Sequence, residues 1–367
     1  MRLGVEAALV RGELVPGDVE IEDGRIEAVG LAGGTRGRVA VPGFVDLQVN
    51  GYAGVDFLSA SEADYSRAGE ALLLAGVTAY QPTFITSAEA ATVEALQTMP
   101  ASALGPRVLG AHLEGPFLSP ERPGTHPLEH LQAPDVDLLD RLLDAGHVTQ
   151  MTLAPELAGA HALIERLRER GVAVAAGHTN ATAEEADRAF DLGVSAITHV
   201  FNAMRPFRSR DPGIAGVALT RSDVMITMVV DGHHLADETV RLVWACAAGR
   251  VAVVTDAIAA AGTSFDGTFQ LGDVAVEVGA GAAPMREDGT LAGTVLTMID
   301  AVRNLHALGV PFEQAVSAAT EVPARFLGRA DVGVLEPNVP ADVVVLDDRL
   351  EILSVLCSGR SDVVARD

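Results

Sequence analysis

The sequence predicts an α/β fold: a (β/α)8 TIM-type barrel with a small β-sandwich domain built from both chain termini. Three observations predict it. Eight short, nearly continuous apolar runs alternate with amphipathic stretches, the pattern of a parallel sheet covered on both faces. Residues 1–42 and 333–367 read instead as short strands and turns, flanking a barrel over residues 43–332. The chain of 367 residues is 49% hydrophobic with a mean hydropathy of +0.27, which supplies one large core and excludes intrinsic disorder.

The elements follow in order. Asp23-Gly24 marks a hairpin turn between alternating segments near the N-terminus. The apolar runs cover 44–49, 77–85, 107–113, 148–153, 172–176, 195–200, 224–230 and 251–255. Between them, Thr182 and Glu185 form a capping box with Gly193 just past the helix end, and Ser61 and Asp64 repeat the start signal. Residues 236–248 and 296–308 are apolar at helical spacing, with Trp244, Met225 and Met298 read as core. The segment VGVLEPNVPADVVVLD returns to strands and turns, so the two ends of the chain pair into the smaller domain.

Composition narrows the chemistry. All 26 basic residues are arginine. With no lysine there is no Schiff-base or phosphate-loop chemistry and no metal pair bridged by a modified lysine. The net charge of −24 disfavours nucleic acid and anionic membranes as partners. The two cysteines, Cys246 and Cys357, have no motif spacing, which fits a reducing, cytoplasmic location. The N-terminus lacks the pattern of a signal peptide, and no uncharged apolar run is long enough for a spanning helix.

Barrel enzymes carry their chemistry at the C-terminal ends of the strands. Here those ends read Gln48-Val49-Asn50, His112-Leu113-Glu114, Gly177-His178-Thr179, Thr198-His199, Asp231-Gly232-His233-His234 and Thr255-Asp256. Parallel strands bring these residues to one place. Glu114, His178 and His199 then form a candidate metal set, two imidazoles and a carboxylate with a position left open for water. Such a metal brings the pKa of its water towards about 7. Asp256, on the neighbouring strand, is placed to accept a proton there and deliver it to a leaving group. His147, His161 and His306 fall away from the strand ends and read as structural or surface residues, while His130 and His233 fit either reading.

The motifs VPGFVDLQVNG, HLEGPF, PGTHP, GHTNAT, THVFNAM, DPG, DGHH, TDA and GTLAG occur in this order. Together they make the chain resemble the N-acetylglucosamine-6-phosphate deacetylases of the amidohydrolase superfamily, over essentially its whole length. The resemblance implies that a metal-bound water attacks the acetamido carbonyl of a sugar 6-phosphate, releasing acetate and an amino-sugar phosphate. It implies Glu114, His178 and His199 as metal ligands and Asp256 as general base, then acid. It implies that His126 polarises the carbonyl and that Thr125 lies in the sugar site. Asn202, Ala203, Arg210 and His234 match sugar and phosphate contacts, and Leu291, Ala292 and Gly293 a loop over the sugar. Arg210 belongs to a cluster, RPFRSR, that suits a dianionic phosphate. The family also implies a homodimer whose phosphate contacts cross the subunit interface.

The chain departs from the superfamily at the first strand, where Gln48-Val49-Asn50 replaces the usual His-x-His. Amides are poor ligands for transition metals. One divalent metal per subunit is therefore expected, zinc first, with iron, manganese or cobalt able to use the same ligands; Gln48 is left to contact water or a weak second ion. Asn338 stands near the turn where Gly is common, a position Asn tolerates at positive φ. The absent lysine and His-x-His argue against a cyclic amidase. A sugar-phosphate-binding protein without catalysis should lack a ligand or Asp256, and all are present. The galacto epimer of the substrate stays open.

Overall fold

The computed structural model describes residues 1–100 and 105–363; residues 364–367 of the C-terminal segment lie outside the described residues. Its barrel strands are β1 (Phe44–Val49), β2 (Val77–Ile85), β3 (Ala111–Glu114), β4 (Val148–Leu153), β5 (Ala173–Ala176), β6 (Ala196–Ile197), β7 (Met225–Met228) and β8 (Val251–Val253). Each pairs parallel with the next. The seam between β8 and β1 closes through a parallel bridge, Val49 to Ala257, and through Asp256 N donating to Gln48 O at 2.9 Å. The eight runs are thus the eight strands. The third run divides: Arg107–Val108 pairs with β2, Gly110 at φ 99 breaks the strand, and β3 begins at Ala111.

Helices form where the sequence places them. Both capping boxes are made, at Ser61/Asp64 and Thr182/Glu185, and Gly193 takes the left-handed conformation (φ 114) after Leu192. Asp237–Ala247 and Met298–Ala307 are helices, with Met298 and Met225 buried and Trp244 packed at the core's edge.

The two chain ends share a six-stranded sheet, in which Thr35–Pro42 lies antiparallel to Val343–Asp347. The hairpin Asp18–Glu22/Arg25–Leu31 covers it, and Val19, Ile21 and Ile26 share a core with Val5, Ala40 and Val343. Asp23 (φ 49) and Gly24 (φ 75) make its turn, as the two-residue loop requires. Asn338 adopts φ 70 and donates its N–H to Ile26 O, so asparagine carries the expected left-handed turn. Among the described residues, no helix is long and apolar enough to cross a membrane.

Asp46 secures the barrel seam. Its buried carboxylate accepts hydrogen bonds from Thr255 Oγ1 at 2.6 Å and from the backbone N–H groups of Thr255 and Gln48. Burial pushes its pKa from 3.8 up to about 7. The folded chain therefore holds a proton that the unfolded chain releases across that window, and this group's contribution to stability falls as the pH rises through it. Asp46→Asn removes the dependence. The melting temperature of the variant relative to the wild type is expected to be higher at about pH 8 than at about pH 5; a difference independent of pH would contradict this.

Candidate active site

The strand ends converge as their parallel order requires. Glu114 closes β3, His178 follows β5, His199 follows β6 and Asp256 follows β8. His178, His199 and Asp256 hold left-handed backbone (φ 48, 34 and 50), which ends each strand and turns the side chain over the barrel mouth. Non-glycine residues in this region are costly and cluster at functional sites.

Glu114 Oε1 lies 3.2 Å from His178 Nε2 and 3.0 Å from His199 Nε2, and the two nitrogens are 3.1 Å apart. A tetrahedral cation bound at about 2.0–2.1 Å needs ligand atoms roughly 3.3 Å apart, so this triangle fits one with small adjustment. The group is buried, and its three ligand atoms lie close together. His178 Nδ1 is 3.2 Å from Arg122 O; donation there leaves Nε2 as the free lone pair. Burial opposes the charge on Glu114, yet hydrogen bonds from the two imidazoles hold its carboxyl well below the usual range.

Asp256 Oδ1 accepts from Asn50 Nδ2 at 2.7 Å and Gln48 Nε2 at 3.1 Å. Burial, then the charge of Glu114, raises its pKa. Gln48 Nε2 also lies 3.3 Å from both oxygens of Glu114. Gln48 thus turns its N–H group to two carboxylates, while its amide carbonyl keeps the lone pairs that a water or a weak second ion would need.

His126 lies on the loop after β3, fully buried. Burial, reinforced by His178, holds its pKa well below the ordinary value, so the ring is neutral. Thr86 N donates to Nδ1 at 3.2 Å, which fixes the proton on Nε2. That nitrogen has no hydrogen-bond partner among the described residues and stands 3.7 Å from Glu114 Oε2.

A cavity of about 380 Å³ opens over these groups. Thr125, Asn202, Ala203, His234, Leu291 and Gly293 line it together with Glu114, His126, His178, His199 and Asp256. The Oγ1 of Thr125 is buried without a hydrogen-bond partner among the described residues. His234 Nδ1 is held 2.7 Å from Asp231 Oδ2, and Asp231 also accepts from the N–H groups of His233 and His234. Burial resists ionisation of Asp231, but His234 brings its pKa down to about 2.

Two expected contacts fall elsewhere. Ala292 is fully buried behind the wall, packed with Ile258, Leu271 and Val276. Arg210 is exposed and outside the lining of its own cavity, while Arg205 of the same cluster is spent on Asp211 at 2.8 Å. His130 pairs with Asp273 at 3.3 Å, and His233 is exposed. The sequence reading passed over the hairpin Gly267–Leu271/Val274–Val278, which brings Leu271 into the cavity wall. Its signal was present: apolar residues alternate through Val274, Val276 and Val278 after a Gly272-Asp273 turn.

A buried carboxylate and two imidazoles at the ends of barrel strands, faced by a second carboxylate from β8, define the centre of a metal-dependent barrel hydrolase. The chain belongs to the amidohydrolase family, whose model matches residues 39–362. It is 38% identical to the human N-acetylglucosamine-6-phosphate deacetylase over 88% of this chain and 83% of that protein. It is 33% identical to the N-acetylgalactosamine-6-phosphate deacetylase of Escherichia coli O157:H7, over 87% of this chain and 86% of that one. The Mycobacterium smegmatis N-acetyl-D-glucosamine-6-phosphate deacetylase, solved as an aspartate-to-alanine variant with N-acetyl-D-glucosamine-6-phosphate, superposes with a TM-score of 0.92 at 34% identity, covering 99% of each chain.

Proposed function

We propose that the protein hydrolyses the acetamido group of N-acetylglucosamine-6-phosphate to glucosamine-6-phosphate and acetate, in the breakdown and recycling of amino sugars. The observation that carries this reading is the meeting of Glu114, His178, His199, His126 and Asp256 in one cavity of about 380 Å³. Glu114, His178 and His199 would hold one divalent metal, zinc first, with iron, manganese or cobalt as alternatives. When bound it supplies a Lewis acid that acidifies water and polarises a carbonyl.

The protein's own groups do the rest. Asp256, anchored through Oδ1, takes a proton from the attacking water. His126 donates its Nε2–H to the acetyl oxygen as negative charge gathers there. Asp256 then passes its proton to the sugar nitrogen, the C–N bond breaks, and the amine leaves as acetate forms. Thr125 Oγ1 offers an unspent hydrogen bond to a sugar hydroxyl, and His234, oriented by Asp231, faces the phosphate with the Asn202-Ala203 turn. Arg210 serves the phosphate of a second subunit in a homodimer, which accounts for an arginine cluster lying outside its own cavity. A cytoplasmic setting suits a chain whose two cysteines, Cys246 and Cys357, have no motif spacing.

The test compares amine release from N-acetylglucosamine-6-phosphate, its galacto epimer and the unphosphorylated sugar. The phosphorylated gluco substrate is expected to lead in kcat/KM, with the unphosphorylated sugar lower by roughly 10²-fold, the loss of about two charge-assisted hydrogen bonds. Equal turnover with and without phosphate would overturn the roles of Arg210 and His234. A leading galacto epimer would reassign the substrate.

A further inference from the structure

Ile85 closes β2 in register with Glu114 on β3. Its side chain lines the reaction cavity, and it also lines a second cavity of about 190 Å³, whose wall joins Leu113, Leu138 and Leu142 on one side to polar groups, Glu89, Asp135 and Arg141 among them, on the other. Ile85 is therefore part of the wall between the two spaces. It is 3% exposed and shares an apolar cluster with Leu271, which lines the reaction cavity as well.

The order of the strands decides what this wall meets. Asn202 and Ala203 follow β6 and His234 follows β7, across the barrel mouth from β2 and β3. A substrate with its phosphate on the β6–β7 side and its carbonyl over Glu114, His178 and His199 extends its acyl group towards β2. His126, which meets the carbonyl oxygen, is tied to Thr86, the residue after Ile85. Ile85, Leu271 and Leu291 are the large aliphatic side chains lining a cavity that is otherwise mostly polar or small. Leu291 belongs to the segment implied to cover the sugar, which leaves Ile85 and Leu271 for the acyl methyl.

We infer that Ile85, backed by Leu271, sets the length of acyl chain the enzyme removes: an acetyl methyl packs against it, and a longer chain collides with it. This rests on the deacetylase reading. Shortening the side chain joins the second cavity to the first and gives a longer chain somewhere to go.

The experiment measures kcat/KM for N-acetyl-, N-propionyl- and N-butyryl-glucosamine-6-phosphate with the wild type, Ile85→Ala and Ile85→Val at equal metal content. Ile85→Ala should raise the butyryl-to-acetyl ratio by roughly tenfold or more, the discrimination a methylene commands in an apolar pocket. Ile85→Val, which removes a single methyl and keeps the β-branch, should raise the propionyl-to-acetyl ratio by less. Ratios equal to those of the wild type in both variants would overturn the inference, as would an unchanged ratio in Ile85→Val if Ile85→Ala does not fold. A wild type that leaves the acetyl substrate intact would overturn the deacetylase reading itself, and this shows as absent turnover rather than as a flat ratio.

Discussion

Asp256→Asn is expected to lower kcat for acetate release by about 10⁴-fold, the upper range for removal of a general acid–base group. The substitution leaves the site standing. Asn50 Nδ2 and Gln48 Nε2 both donate to Asp256 Oδ1, at 2.7 and 3.1 Å, and an asparagine carbonyl can take their hydrogen bonds in the same place. The second oxygen is what disappears, and with it the acceptor for the proton of water and the donor to the leaving nitrogen. Metal content and melting temperature should therefore stay near those of the wild type while turnover collapses. Acetate release that persists undiminished would show that another group moves the proton.

Glu114→Gln should be nearly as severe by a different route. Glu114 Oε1 is the atom that both imidazoles face, at 3.0 and 3.2 Å. The amide brings a neutral, weak ligand into that position and turns one N–H group towards a donor, Gln48 Nε2, that now lies 3.3 Å from both oxygens. Two imidazoles alone hold a divalent ion poorly. The variant should lose its metal on dialysis, and kcat/KM should fall by about 10³-fold, the several kcal/mol that a Lewis acid contributes to the transition state. Retention of a full equivalent of metal after dialysis would show that Glu114 is not a ligand.

The barrel was legible because its strands are buried on both faces and so read as apolar runs, interrupted by caps that name the helix ends. Glu114, His178, His199 and Asp256 were legible because parallel strands place their C-terminal ends together whatever the details of packing. Side-chain direction was not legible. The spacing put Gln48 at the mouth, but only the geometry turns its N–H to Glu114 and Asp256. Ala292 sits in the segment that lines the cavity, yet its own methyl points into the apolar cluster behind. Arg210 lies in a cationic cluster, and folding leaves it exposed and outside its own cavity, while Arg205, five residues earlier, is paired with Asp211. The left-handed backbone at His178, His199 and Asp256 leaves no mark in composition, since none of the three is glycine. Asp46 reads as one more strand residue until the seam brings Thr255 onto it.

Gln48 and Asn50 stand where a His-x-His pair would support a second ion, and both spend their amide donors on carboxylates. On that ground we propose a one-metal centre. The decisive measurement is the metal content of protein purified without added metal and dialysed, followed by titration of the metal-free form against activity. One equivalent per chain should survive dialysis, and activity should rise in proportion to metal and level off at one. Two equivalents that both survive dialysis, with activity still rising between the first and the second, would contradict it.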